Sequence, residues 1–207
     1  MKTEQEYIKD LSEIRAMMER TSKFMSLSGL SGIMAGVYAL VGAYVVYRLS
    51  YSTEEGLENT LNGKILFGDA AEILLLALAV LVLALGTAVL LSWQKSRKSG
   101  EKLWNSAARR LAFNMAIPLL AGGIIMFIFF FRGLEEFIAP VTLVFYGMAL
   151  FNASKFTFAE LRSLALLEIV LGLISFYFTD YGLLLWALGF GLLHILYGIY
   201  MHLKYEK

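Results

Sequence analysis

The chain contains no cysteine. This absence excludes disulfides, thiolate metal sites, iron–sulfur clusters and covalently attached c-type haem. Only two histidines are present, His194 and His202, and on one helix they lie about 12 Å apart. Two histidines at that separation cannot ligate one haem iron or one zinc ion within a single chain. We therefore expect no metal site and no cofactor, and no known catalytic motif identifies a catalytic residue.

Charge is almost absent from six long stretches of the 207 residues. A hydrocarbon core about 30 Å thick requires about 20 apolar helical residues, and each stretch is close to that length. Hydrophobic residues make up 58% of the chain, above the roughly 45–50% of soluble domains. We predict an all-α polytopic membrane protein, with a cytoplasmic amphipathic helix at 1–23 and a transmembrane bundle at 24–207. The six predicted spans are about 24–49, 66–93, 108–131, 135–153, 159–178 and 182–203.

The lysines and arginines are distributed unequally between the two sides of such a bundle. With six alternating spans, all but Arg48, Lys64 and Arg132 of the 18 basic residues fall on the side of both termini. The positive-inside rule then places both termini in the cytoplasm. The connections 132–136 and 179–182 are so short that helices 3 and 4, and helices 5 and 6, should form antiparallel hairpins.

Two ionisable side chains, Glu168 and His194, lie inside the apolar stretches. Each such group costs about 2.5–3.5 kcal/mol at the centre of a bilayer, which makes it a candidate for function. Helical rise places Glu168 about 9 Å and His194 about 15 Å from the cytoplasmic face, so the two could meet. Tyr146 and Tyr197 could join them. The group is either a proton or ligand site or a structural hydrogen bond between helices, and both interpretations stay open.

Two short patterns predict local structure. Ser28, Gly32 and Gly36 recur every fourth residue, a small-residue face that allows a second helix, internal or from another copy, to approach closely. Thr157 and Glu160 have the three-residue spacing of a capping box just before helix 5.

The segment 1–23 has an apolar stripe at helical spacing, formed by Tyr7, Leu11, Ile14 and Met18. Charged residues of both signs cover its other faces, whereas binding to anionic lipid favours a basic face. The stripe should therefore dock on the bundle itself, on a second copy, on a lipid surface or on a soluble protein.

Three segments carry a resemblance: MMERTSKF at 17–24 leading into SLSGLSGIMAG, FYGMALFNASKFT at 145–157, and WALGFGLLHILYGIYM at 186–201. Together they resemble a family of small six-helix bacterial inner-membrane proteins without an assigned activity. The resemblance implies a bacterial cytoplasmic membrane and six helices. It implies no activity and supplies no catalytic residue.

Three functions fit these patterns. The first is a non-enzymatic regulatory, sensor or scaffold protein in which the arm at 1–23 contacts a cytoplasmic protein or a second copy. The second is a small-solute or proton transporter that uses Glu168 and His194. The third is a membrane-embedded enzyme or a quinone or haem binder. In each case the lipid bilayer is a partner and nucleic acid is not.

Overall fold

A computed structural model describes residues 23–51, 67–100 and 103–206. The stripe of Tyr7, Leu11, Ile14 and Met18 lies outside these residues. The described residues form helices and connecting turns, without a strand. The helices are α1 (Gly29–Tyr51), α2 (Phe67–Lys98), α3 (Ser106–Phe131), α4 (Ile138–Ala153), α5 (Leu161–Tyr177) and α6. Helix α6 is continuous and consists of Gly182–Trp186, a π-helical segment Ala187–Leu193, and His194–Tyr205.

Five segments are long and apolar enough to cross a membrane, which indicates a membrane protein. They are Gly29–Leu49, Glu72–Lys98, Ser106–Phe131, Glu135–Ala153 and Thr179–Tyr205. Large apolar side chains cover their outer surfaces, as a lipid environment allows. Helix α5 has 17 residues, about 26 Å, slightly less than the about 30 Å of a hydrocarbon core. The sixth crossing therefore stays a prediction.

Helix α1 packs between α2 and α6. Helix α6 also contacts α4 and α5, which pack against each other, and α3 packs against α4. Short 3₁₀ turns at Glu135–Phe137 and Thr179–Tyr181 lead from α3 into α4 and from α5 into α6. One end of the bundle gathers most of the basic residues of the described chain, and we call it the basic end. It comprises residues 23–28, 95–98, 103–110, 153–161 and 202–206.

Glycines allow α1 and α6 to pack backbone against backbone. A β-carbon at Gly36 would lie 2.6 Å from the carbonyl oxygen of Gly191, and one at Gly32 would lie 3.3 Å from the Cα of Gly198. A β-carbon at Gly198 would in turn lie 2.7 Å from the carbonyl oxygen of Gly29. The small-residue face of α1 therefore contacts another helix of the same chain.

Helix α1 begins at Gly29, five residues after the start of the predicted span. The backbone N–H of Phe24 donates to the carbonyl oxygen of Phe156 at 2.7 Å, and the Thr157 hydroxyl donates to the carbonyl oxygen of Phe24 at 2.7 Å. These partners satisfy both backbone polar groups of Phe24 before the helix begins. Ser28 immediately precedes α1, where its carbonyl oxygen accepts a hydrogen bond from the Ser31 hydroxyl and its own hydroxyl donates to Glu206 Oε2 at 3.4 Å.

The predicted capping box before α5 is wrong. The Thr157 hydroxyl bonds to Phe24, and α5 begins at Leu161 without a side-chain cap. The Glu160 carboxylate instead accepts hydrogen bonds from Lys204 and from the Tyr205 hydroxyl. The Thr157 and Glu160 side chains, which the local pattern assigned to the start of α5, thus form tertiary contacts at the basic end instead.

Candidate functional site

Glu168, His194 and Tyr146 meet in the interior of the bundle, although they come from three different helices. His194 Nδ1 lies 3.3 Å from Glu168 Oε1, and His194 Nε2 lies 2.9 Å from the Tyr146 hydroxyl oxygen. No part of Glu168 is exposed, and only 6% of His194 is. The sequence identified all three residues, and the packing of α4, α5 and α6 brings them together.

The neighbours of the imidazole determine which nitrogen carries hydrogen. Nδ1 faces two acceptors, the carboxylate of Glu168 and the carbonyl oxygen of Gly189 at 3.0 Å, so Nδ1 bears a proton. In a neutral ring Nε2 then accepts a hydrogen bond from the Tyr146 hydroxyl. In a charged ring the Nε2–H donates to the same hydroxyl oxygen, because a hydroxyl can act in either direction. The Tyr146 hydroxyl can therefore pair with Nε2 either as a donor or as an acceptor.

The π-helical segment of α6 shapes this site. A β-carbon at Gly189 would lie 2.6 Å from Glu168 Oε2 and 2.6 Å from Leu143 Cδ2, so glycine makes room for the carboxylate. The same residue supplies the carbonyl oxygen that orients His194. Single π-helical turns inside α-helices are often found at functional sites, where they displace side chains from regular helical positions.

Aromatic rings surround the imidazole. The Phe190 ring lies nearly parallel to His194, with centroids 5.9 Å apart and an interplanar angle of 13°. Phe190 also contacts Tyr146 and Trp186, at centroid distances of 4.8 Å and 4.9 Å. This apolar shell excludes water from the carboxylate and imidazole and lowers the local dielectric, which strengthens their mutual attraction.

Buried polar atoms with unmet hydrogen bonds concentrate in the same interior. Among the described residues, four such atoms have no hydrogen-bond partner: both carboxylate oxygens of Glu168, the Ser175 hydroxyl and the Tyr197 hydroxyl. The Glu168 carboxylate contacts His194 at 3.3 Å, but the Nδ1–H is directed to the Gly189 carbonyl oxygen. Tyr197 packs against the α4–α5 core without bonding to the cluster. Unsatisfied buried groups cost about 1–3 kcal/mol each, and two of these four atoms belong to the Glu168 carboxylate.

A second carboxylate–histidine pair, Glu206 and His202, lies at the basic end and was not identified from the sequence. Glu206 Oε2 is 2.6 Å from His202 Nδ1, and Glu206 Oε1 accepts from Lys95 Nζ at 2.9 Å and from the Gly29 backbone N–H at 3.0 Å. Lys95 also donates to the carbonyl oxygen of Leu27 at 2.8 Å. This clamp joins the end of α6 to the start of α1 and to α2.

The pKa of the Glu206 carboxyl is about 2, below its ordinary value of 4.5. Its partial burial acts to raise the pKa, but hydrogen bonds from His202, Lys95 and the Gly29 backbone outweigh that effect. The four-residue spacing of His202 and Glu206 is the one local signal of the clamp. Lys95 and Gly29 are distant in the sequence, so only the tertiary structure shows their contribution.

Glu160 forms a smaller link at the basic end. Hydrogen bonds from Lys204 and from the Tyr205 hydroxyl hold its pKa at about 2. The Glu160 side chain is 23% exposed, against 13% for Glu206, so solvent screens this link more strongly than the clamp.

Within residues 23–51, 67–100 and 103–206, no group of three or more histidine, aspartate or glutamate side chains is placed to hold a metal ion. Comparison with family models, curated proteins and solved structures finds no match to this chain.

Proposed function

We propose that this is a six-span protein of the bacterial cytoplasmic membrane with both termini in the cytoplasm, and that it transports protons or a small solute coupled to protons. The Glu168–His194–Tyr146 cluster binds and releases the proton. The observation that carries the proposal is a carboxylate that is buried beside an imidazole and that has no other hydrogen-bond donor within the described parts of the chain. Ionisable groups in such positions mark proton relays and substrate pathways in membrane proteins.

The geometry supports a specific role for each residue. Glu168 supplies the negative charge that stabilises a protonated His194, and the Gly189 carbonyl oxygen fixes the ring. Tyr146 serves the ring as a donor before protonation and as an acceptor after it. The Glu168 carboxylate then has free acceptor capacity for a proton passed from the ring.

The proposal is tested by following carboxyl protonation directly, which requires no knowledge of a solute. Purified protein in lipid vesicles should show an infrared band of a protonated carboxyl that changes reversibly with pH. Glu168→Gln should remove this band and should also remove proton flux into the vesicles. Glu136→Gln is the matched control, because Glu136 is exposed at the opposite end of the bundle. A band that is independent of pH, or one that persists in Glu168→Gln, would overturn the proposal.

A regulatory function through the arm at 1–23 is the second candidate, and one contact favours it. Phe24, where the arm joins the bundle, is hydrogen-bonded to Phe156 and Thr157. The clamp ties the same region to α6, the helix that carries His194. A change at His194 therefore has a continuous set of contacts to the base of the arm.

Deletion of residues 2–20 separates the two candidates. Under the regulatory function, the deletion abolishes co-purification of a cytoplasmic partner and leaves membrane insertion and the pH-dependent carboxyl band intact. Under the transport function alone, it leaves flux unchanged and removes no bound protein.

A further inference from the structure

An open groove of about 680 Å³ lies on α3 at the basic end. Trp104, Arg109, Arg110, Phe113 and Asn114 are among the residues that line it. The two aromatic side chains are largely exposed, each at 69%. The groove therefore combines two adjacent guanidinium groups with uncovered aromatic surface.

No carboxylate among the described residues balances the positive charge of this groove. In the part of the chain that the structure describes, the Arg109 and Arg110 side chains form no ion pair, whereas Lys95 and Lys204 each bind a carboxylate. Both arginines lie near the N-terminus of α3, where the helix dipole adds further positive potential. An anion at this position would meet two unpaired guanidinium groups and a favourable dipole.

An apolar strip continues from the groove along the same face of α3. Its members are exposed side chains at helical spacing, Phe113, Ile117, Leu120 and Ile124. A charged groove followed by such a strip matches a molecule with an anionic head and a long aliphatic chain. Trp104, exposed beside the arginines, has the amphipathic ring that is typical of the membrane interface.

We propose that this groove binds an anionic phospholipid. Arg109 and Arg110 hold the phosphate through paired guanidinium hydrogen bonds, Trp104 packs at the level of the glycerol, and an acyl chain lies along Phe113 and Ile117. The inference rests on the membrane placement in the proposed function, because the basic end then faces the inner leaflet, where anionic lipids attract basic residues. It does not depend on proton transport.

The test is native mass spectrometry of the full chain in neutral detergent, titrated with phosphatidylglycerol and, separately, with phosphatidylcholine of the same acyl chains. Phosphatidylglycerol should bind preferentially, and the double variant Arg109→Gln/Arg110→Gln should weaken its binding about tenfold. The matched control, Lys98→Gln/Lys155→Gln, removes two exposed positive charges at the same end and should retain binding. Millimolar inorganic phosphate should not displace the lipid, because phosphate lacks the acyl chain.

Equal binding of the two lipids, equal loss in both double variants, or displacement by phosphate would overturn the lipid site. Fractionation of the cells from which the protein is purified distinguishes this outcome from failure of the proposed function. If the chain is soluble without detergent, the proposed membrane placement is wrong. If the chain requires detergent but shows no preference for phosphatidylglycerol, only the proposed lipid site is wrong.

Discussion

Two carboxylate–histidine pairs are built around the two histidines of α6, and they differ in what surrounds the carboxylate. Glu206 accepts hydrogen bonds from His202, Lys95 and the Gly29 backbone, and the clamp that it forms joins three helices. Glu168 lies 3.3 Å from His194, is fully buried and has no hydrogen bond to either oxygen. The same two residue types thus occur in opposite electrostatic environments within one bundle.

The difference separates a structural role from a chemical one. A carboxylate whose acceptor capacity is filled by several donors is fixed as an anion and stabilises the fold. A buried carboxylate with free acceptor capacity beside a titratable ring contributes little to stability but can exchange a proton. The predictions below test this contrast, and detergent-solubilised protein suits all of them.

The largest expected effect is on Glu206. Glu206→Ala removes three strong hydrogen bonds and leaves Lys95 without its carboxylate, so the free energy of unfolding should fall by about 2 kcal/mol. Thermal unfolding followed by circular dichroism measures this change. Glu136→Ala, at an exposed acidic residue of the opposite end, is the control and should change the melting temperature little. An equal effect of the two variants would show that the clamp does not stabilise the fold.

Acid should weaken the clamp in a defined range. The folded pKa of Glu206, about 2, is below its ordinary value of 4.5, so the stabilisation is complete above about pH 4.5 and is lost as the pH falls towards 2. Glu160 contributes in the same direction and range, although solvent screens its link more strongly. Unfolding measured from pH 7 to pH 3 should show this loss in the wild type and a weaker pH dependence in Glu160→Gln/Glu206→Gln. The same pH dependence of unfolding in the wild type and in the double variant would contradict the prediction.

A methyl group at Gly189 should disturb the interior pair. Its carbon would lie 2.6 Å from both the Glu168 carboxylate and Leu143, so Gly189→Ala should lower the free energy of unfolding by about 1–2 kcal/mol and alter the infrared band of the carboxyl. Gly86→Ala in α2 is the matched control, because no atom lies within 4 Å of the added carbon. If both variants melt at the wild-type temperature, the carboxylate does not occupy the space beside Gly189.

The smallest effect on stability is expected for Glu168→Gln. Only a 3.3 Å contact to His194 is weakened, and interhelical polar contacts in membrane proteins average about 0.6 kcal/mol, so the change in unfolding free energy should stay below about 1 kcal/mol. Thermal unfolding in the same detergent measures it. A loss as large as that of Glu206→Ala would mean that both pairs are structural.

Much of the fold follows from the sequence, because long uncharged stretches can satisfy their backbone in lipid only as helices. The residues at which the helices begin and end are predicted less well from the sequence. Residues 24–28 belong to the uncharged stretch of the predicted span, but they are not helical, and the Phe24 backbone pairs with Phe156 and Thr157 instead. The length of an apolar stretch carries no information about such a tertiary contact. For the same reason the capping pattern at Thr157 is locally plausible but is not formed.

The candidate site divides in the same way. The sequence alone identified Glu168 and His194, with Tyr146 and Tyr197 as possible partners, since ionisable side chains in apolar stretches are conspicuous and helical rise places the first two within about one turn in depth. Only the tertiary structure decided that they touch, that Tyr197 does not join them, and that Gly189 makes room for the carboxylate. Depth along a helix is fixed by the rise per residue, whereas the rotation of each helix is set by side-chain packing between helices. The clamp at Glu206 depended on that packing for two of its three donors, because His202 is local in the sequence whereas Lys95 and Gly29 come from distant parts of the chain.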